Sequence, residues 1–228
     1  MATLELLVVV GFIRKNIESI QSANGIIPIE IKTLCSKYYD YLPVFLQKGE
    51  DMVVEVDNED NLSTVIMANG NPNWNSAYGV LKINSMERCI YEWTLKINHL
   101  RGNMILFGIV DFGGDHSFNM ITEHDLHYVL NGCGVLREHC KSSKRLMNSE
   151  CSKGTVIKFR LNLDPVGKDH AHIQMWRDGK DLGVIFPDVT KKEGIAYKFG
   201  VSFYERGSSV SFVSLEKILP KSAKFADI

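Results

Sequence analysis

Hydrophobic residues in the first part of the chain recur at helical spacing. Leu6, Val10, Ile13, Ile17 and Ile20 are three or four positions apart, so they share one face of a helix. A second stripe follows the break at Asn24-Gly25 and consists of Ile27, Ile31, Leu34, Tyr38, Leu42 and Phe45. The pattern predicts helices near residues 4–21 and 28–40, joined as an αα-hairpin within an extension over residues 1–46.

The hydrophobic period changes to two from about residue 52. Tyr91, Trp93, Leu95 and Ile97 alternate with polar residues, and two later segments repeat the pattern. Asp178-Gly179 between two apolar stretches is typical of a β-hairpin turn. We predict a mainly β fold, an antiparallel two-sheet β-sandwich over residues 50–216, with a tail over 217–228. The residues predicted to face inward are Tyr91, Trp93, Ile157, Phe159, Leu161, Phe199 and Val201.

One predicted strand, within Met104–Val110, is apolar on both faces. Such a strand is central and covered on both sides. We expect the helical hairpin to pack on the sandwich and to cover the second face of the strand that contains Ile105, Phe107 and Ile109. Trp176 is expected under the same cover. The alternative is that the helical stripes form a dimer interface or bind another protein.

Composition narrows the functional classes. The formal net charge of -1 argues against a nucleic-acid partner, which would require a basic face. Five cysteines form an odd, uneven set, which favours a reducing, cytoplasmic compartment. The apolar run Leu6–Val10 is too short for a signal peptide and lacks a preceding positive charge. No stretch is long enough to span a membrane, so no membrane association is expected.

Three segment pairs resemble the SPRY domain family. They are Ile90–Ile97 with Ile105–Val110, Gly154–Asp164 with Ile173–Phe186, and Tyr197–Tyr204 with Ser209–Phe212. The match spans about residues 61–215 and leaves the helical extension outside. Arg177-Asp178-Gly179 replaces the commoner Asn-Gly turn of the family, and Tyr128–Gly134 is a loose counterpart of its glycine-rich stretch.

The resemblance implies a concanavalin-like jelly roll that binds a partner protein or peptide through variable loops. An adaptor or substrate receptor for a ubiquitin ligase is one form of this role. The competing interpretation is a lectin-like carbohydrate-binding domain, because SPRY domains share their sandwich with legume lectins. Asp57, Asn58, Glu59, Asp60 and Asn61 could then hold calcium, although a solvated linker explains them equally well.

Catalytic and metal sites are not expected. The chain has no Gly-x-Ser-x-Gly elbow and no glycine-rich phosphate loop, so we predict neither catalysis nor a cofactor. The cluster of soft ligands does not have the paired spacing of a structural zinc site, and we predict no metal. Its members are Cys133, His139, Cys140 and Cys151, with His124 and His127 upstream.

Aromatic and charged residues in or beside predicted turns are the candidate partner-binding residues. Rigid aromatic side chains beside arginine and aspartate are typical of interface hot spots. The candidates are Trp74, Tyr78, Asp115, His116, Phe118, Tyr204, Glu205 and Arg206. For Trp74 and Tyr78 the alternative is that they close one end of the core.

Overall fold

A computed structural model describes most of the predicted sandwich. The described residues are 45–56, 63–67, 73–79, 81–102, 104–112, 120–124, 126–138, 144–146, 150–164 and 170–218. The predicted helices of the extension lie outside them. Within these residues, no helix is long and apolar enough to cross a membrane.

The described residues form two antiparallel sheets. The strands are β1 (Phe45–Lys48), β2 (Met52–Val56), β3 (Ser63–Met67), β4 (Asn75–Gly79), β5 (Ile83–Asn84), β6 (Ile90–His99), β7 (Ile105–Asp111), β8 (His127–Asn131), β9 (Val135–Glu138), β10 (Lys144–Arg145), β11 (Val156–Asn162), β12 (His172–Arg177), β13 (Lys180–Phe186), β14 (Ala196–Phe203) and β15 (Ser209–Ile218), and a 3₁₀ helix, η1, spans Ile121–Glu123. Sheet A has the order β1-β4-β14-β7-β8-β9-β10, with β5 also paired to β14. Sheet B has the order β13-β12-β11-β6-β15-β3-β2. The predicted two-sheet architecture is therefore confirmed.

The core between the sheets is built from the alternating strands. Trp93 on β6 lies opposite Phe159 on β11, with the two rings stacked 5.0 Å apart. Across the sandwich, the Trp93 ring centroid is 4.2 Å from that of Phe199 on β14. All seven residues predicted to face inward are at most 2% exposed. Burial of each such side chain stabilises the fold by about 1.5–3 kcal/mol.

Strand β7 is buried on both faces, as predicted. Phe107 belongs to the core between the sheets, whereas Leu106 and Val110 belong to a second cluster on the outer side of sheet A. Ile121 of η1 packs in that cluster, so the segment around η1 supplies part of the cover. Gly108 allows β8 to approach closely, because a Cβ atom there would lie 2.0 Å from the Tyr128 carbonyl oxygen.

The helical cover proposed for β7 falls outside the described residues and stays a prediction. A common cover for Trp176 is wrong, because Trp176 lies on β12 of sheet B and β7 belongs to sheet A. The outer faces of the two sheets point in opposite directions, so one hairpin cannot lie on both.

The turn between β12 and β13 agrees with the sequence pattern. Asp178 and Gly179 connect β12 to β13 with φ angles of 49° and 78°, as the hairpin prediction requires. Two assignments differ. The sequence pattern places Phe45 at the end of the second helical stripe, but Phe45 begins strand β1, where it pairs with Gly79 of β4. Strand β15 continues to Ile218, two residues beyond the predicted end of the sandwich.

Candidate functional site

Two of the predicted binding residues meet at one end of the sandwich. Strand β4 pairs with β14 so that Asn75 lies opposite Phe203. Trp74 precedes β4 and Tyr204 follows β14, and this register therefore makes them neighbours. Their ring centroids are 5.5 Å apart with planes tilted by 56°, and both side chains are half-buried. A long-range strand pairing thus creates an aromatic pair at the surface.

Hydrogen bonds hold the turn that follows Tyr204 and contains Glu205 and Arg206. The Tyr204 amide donates to the Met104 carbonyl (3.2 Å), and the Ser208 amide donates to the Glu205 carbonyl (3.3 Å). The Ser208 hydroxyl in turn accepts the amide of Arg101 at 3.2 Å. Glu205 is half-buried and Arg206 is exposed. These bonds tie the turn to the neighbouring loop, so Tyr204, Glu205 and Arg206 form one ordered surface with Trp74.

Tyr78 does not lie on this surface. It is fully buried on β4, where every residue is buried and no alternation marks the strand. Its hydroxyl donates to Nε2 of His124 (2.7 Å), while Nδ1 of His124 donates to the Asp111 carbonyl (3.1 Å). Burial raises the pKa of Tyr78 above its usual range. Tyr78 therefore packs in the cluster on the outer side of sheet A and offers a partner no accessible surface.

Asp115, His116 and Phe118 lie outside the described residues. Their role in partner binding stays a prediction.

A cleft of about 810 Å³ opens beside Trp74. We call it the Trp74 cleft, and its main lining side chains are Lys48, Glu50, Asp51, Trp74, Asn75 and Glu123. The sequence pattern did not single out its carboxylates. They come from the β1–β2 turn and from η1, two segments that are distant in the sequence and that only the folded sandwich brings together.

Backbone contacts hold the wall of the Trp74 cleft. The amide of Gly49 donates to the Ser76 carbonyl (2.9 Å), which brings the β1–β2 turn against β4. A Cβ atom at Gly49 would lie 2.3 Å from Oδ1 of Asn75, so only glycine leaves room for that amide side chain. The Asn75 amide then donates to Oδ2 of Asp51 at 3.3 Å. One carboxylate of the cleft is thereby oriented by a buried side chain.

A second cleft, of about 670 Å³, lies where β6 and β12 begin and where β11 and β13 end. We call it the Lys191 cleft. Its basic side chains have partners, because Arg88 Nε lies 2.7 Å from Asp164 Oδ1 and Lys191 Nζ donates to the carbonyls of Glu87 and Leu163.

Trp74 lies beside the end of β14, because Asn75 pairs with Phe203, the last residue of that strand. Residues 188–191 of the Lys191 cleft come just before β14 begins at Ala196. The two clefts therefore lie at opposite ends of the strands.

Solved structures share this architecture. The SPRY domain of human HERC1 aligns with a TM-score of 0.53 and 19% identity, over 75% of this chain and 97% of that domain. The chain has the SPRY fold. A further human SPRY domain aligns with a TM-score of 0.51 and 16% identity, over 73% of this chain and 96% of that domain. No family model matches the sequence, and no curated protein matches it either.

The SPRY-like sandwich does not assemble the soft-ligand cluster into a metal site among its described residues. No group of three histidine, cysteine or carboxylate side chains there could hold a metal ion. Cys151 is buried, which raises the pKa of its thiol to about 12. His139 and Cys140 lie outside the described residues, as do Asp57–Asn61, the residues considered for calcium.

The outer face of sheet B presents the other half-buried tryptophan, Trp176. Lys158 and Arg160 lie over its ring, with Nζ and Cζ 5.4 Å and 5.1 Å from the ring centroid. Both cations also bind Glu92, whose side chain is almost fully buried. Burial opposes ionisation of Glu92, but its hydrogen bonds and charge contacts with Lys158 and Arg160 lower its pKa overall. The charges beside Trp176 are therefore paired with one another within the chain.

Proposed function

We propose that this chain is a non-catalytic protein-interaction module that binds a partner protein or peptide at the sandwich end formed by Trp74, Tyr204, Glu205 and Arg206. The observation that carries the proposal is the half-buried aromatic pair of Trp74 and Tyr204 beside a concave cleft. Concave surfaces with a few convergent polar groups are the usual ligand sites of folded domains.

The chemistry of this end suits a hot spot. Tryptophan, tyrosine and arginine are the residues most enriched where partner contacts contribute most. The pair is held by the β4–β14 register and the turn by three hydrogen bonds, so little ordering would be needed on binding. Rigid strands that present loop residues are a common platform for recognition.

The SPRY resemblance supports the same role, because it implies partner binding through loops at the sandwich end. It also supports an adaptor function, in which the bound partner is delivered to a scaffold or a ubiquitin ligase. Cys89, Cys133 and Cys151 carry free thiols, which fits a reducing, intracellular compartment.

Peptide selection on the immobilised full chain tests the proposal. Selected peptides should bind the wild type without calcium, and Trp74→Ala combined with Tyr204→Ala should abolish that binding. Trp176→Ala is the matched control, because it removes the other half-buried tryptophan from a different face. Arg206→Glu is a second site variant at an exposed position, chosen because it should leave folding intact.

Two results would overturn the proposal. One is peptide binding that survives both the aromatic double variant and Arg206→Glu but is lost in Trp176→Ala. The other is calcium-dependent binding to a glycan array with no peptide selected, which would favour the lectin-like function instead.

A further inference from the structure

We infer that the Trp74 cleft binds an arginine side chain of the partner. This inference rests on the proposed function and deepens it, since it assigns a chemical class to one residue of the ligand. It combines three independent features of the cleft: its charge, its aromatic wall and its shape.

The charge of the cleft favours a cation. Its described lining residues carry three carboxylates, those of Glu50, Asp51 and Glu123, and one ammonium group, that of Lys48, so these residues together have a formal charge of -2. Glu50 and Lys48 are exposed, so both are screened by solvent, whereas Asp51 is half-buried. An anionic ligand would be repelled by this lining, and a cationic side chain would be attracted.

The fold orients one of these carboxylates and anchors the backbone segment that carries another. Asn75 is 8% exposed and donates its amide to Asp51, which holds that carboxylate at the cleft wall. Glu123 ends η1, and η1 is anchored because the Ile121 amide donates to the Ser202 hydroxyl at 3.0 Å. A ligand cation would therefore meet acceptors that are already in place.

The aromatic wall selects a cation of a particular shape. Trp74 lines the cleft, and its contact with Tyr204 restricts the ring orientation. A guanidinium group is planar, stacks on an indole ring and can form two parallel hydrogen bonds to a carboxylate. An ammonium group lacks both the plane and the paired donors. Tryptophan beside oriented carboxylates therefore favours arginine over lysine.

The size of the cleft fits a side chain within a peptide. At about 810 Å³ it is larger than one arginine needs, which leaves room for the flanking backbone. Gly49 contributes to this space, because it adds no side chain at the wall formed by Asn75.

Indole NMR signals of the labelled full chain provide the test. The chain has three tryptophans, and single Trp→Phe variants assign their Nε1–H signals. We expect titration with N-acetyl-arginine amide to shift the Trp74 signal saturably and to leave Trp93 and Trp176 unchanged. N-acetyl-citrulline amide, a neutral ligand of nearly the same shape, should cause no shift, and Nα-acetyl-lysine amide should bind several-fold more weakly.

Variants of the carboxylates complete the experiment. Glu50→Gln with Asp51→Asn should weaken arginine binding about tenfold or more. Glu50→Gln alone, at an exposed position, should weaken it several-fold and guards against misfolding of the double variant. An equal response to citrulline, stronger binding of lysine, a shift at Trp176 instead of Trp74, or unchanged binding in both variants would overturn the inference.

The inference and the proposed function can fail separately. If selected peptides bind at Trp74 and Tyr204 but carry no enriched arginine, the arginine assignment fails and the interaction site stands. If arginine amide binds while every selected peptide is insensitive to Trp74→Ala, the proposed function fails.

Discussion

The two clefts at opposite ends of the sandwich have similar volumes but use their charges differently. In the Lys191 cleft, Arg88 is paired with Asp164, and Nζ of Lys191 donates to the carbonyls of Leu163 and Glu87. Among the described lining residues of the Trp74 cleft, three carboxylates outnumber one lysine, and Trp74 in the wall contacts the ring of Tyr204.

One cleft holds a lysine that joins two loops, whereas carboxylates line a concave surface in the other. A lysine that joins two loops through their carbonyls stabilises those loops, and little of its hydrogen-bonding capacity is left for a partner. The carboxylates of the Trp74 cleft line a concave surface with an aromatic wall, and we propose that they serve recognition. Cleft volume does not distinguish the two ends, whereas the balance of acidic and basic side chains among the described lining residues does.

The largest effect is expected on binding at the Trp74 cleft. Trp74→Ala should make the binding free energy of a selected peptide less favourable by about 2–4 kcal/mol, because truncation of a central aromatic residue removes both packing contacts and the exclusion of water. Arg88→Ala, in the other cleft, should leave the same affinity unchanged. Isothermal titration calorimetry measures the peptide affinity of both variants. Equal losses of affinity in the two would contradict the prediction.

The next largest effect is on stability at the Lys191 cleft. Lys191→Met should lower the free energy of unfolding by about 1–3 kcal/mol, because two carbonyls lose their donor. Lys48→Met, the matched change in the Trp74 cleft, should alter stability by no more than about 0.5 kcal/mol. Urea denaturation measures both values, and a larger loss in Lys48→Met would reverse the assignment of roles.

A pH effect smaller than the loss in Lys191→Met is expected beside the Lys191 cleft. Burial opposes ionisation of Glu87, but hydrogen bonds from Lys217, Tyr91 and Cys89 outweigh it and lower the pKa of Glu87. A lowered pKa stabilises the fold above the unfolded value of about 4.3, and this contribution is lost as the pH falls through the folded value. Glu87→Gln should therefore be less stable than the wild type near pH 7 and equally stable at strongly acidic pH.

Urea unfolding of both proteins between pH 7 and pH 2.5 checks this sign. A stability difference that grows on acidification would contradict it.

The smallest effect is expected for the most exposed pair. Arg88 is 78% exposed in its side chain, so solvent screens its contact with Asp164. Arg88→Ala should change the unfolding free energy by no more than about 1 kcal/mol, and less at high salt. Thermal melting at two salt concentrations measures it, and a loss similar to that of Lys191→Met would show that this ion pair is a main support of the cleft.

Local patterns predicted the parts of the fold that local chemistry determines. The alternation of apolar and polar residues along β11 predicts that Phe159 faces inward, and Asp178-Gly179 predicts a turn because both residues tolerate positive φ. The sequence around Tyr78 lacks such a pattern. Strand β4 is buried at every position, so it lacks the alternation that would have identified it as a strand.

The candidate site was only partly visible in the sequence. Residue type alone marks Trp74 and Tyr204 as candidates, yet their contact depends on the pairing of β4 with β14, two strands far apart in the chain. Glu50, Asp51 and Glu123 resemble ordinary solvated loop residues until the fold gathers them around one cleft. The fold brings these residues together from distant segments, and their spacing in the sequence does not predict that they meet.

Hydrogen-exchange mass spectrometry of the full chain with a selected peptide tests the central claim most directly. The account predicts that the bound peptide slows exchange in segments 48–51, 73–76 and 204–208, around the Trp74 cleft. Segments 86–88 and 188–191 at the Lys191 cleft, and 156–160 and 172–177 on the outer face of sheet B, should exchange as in the free chain. Protection confined to either of those two regions, with none around Trp74, would contradict it.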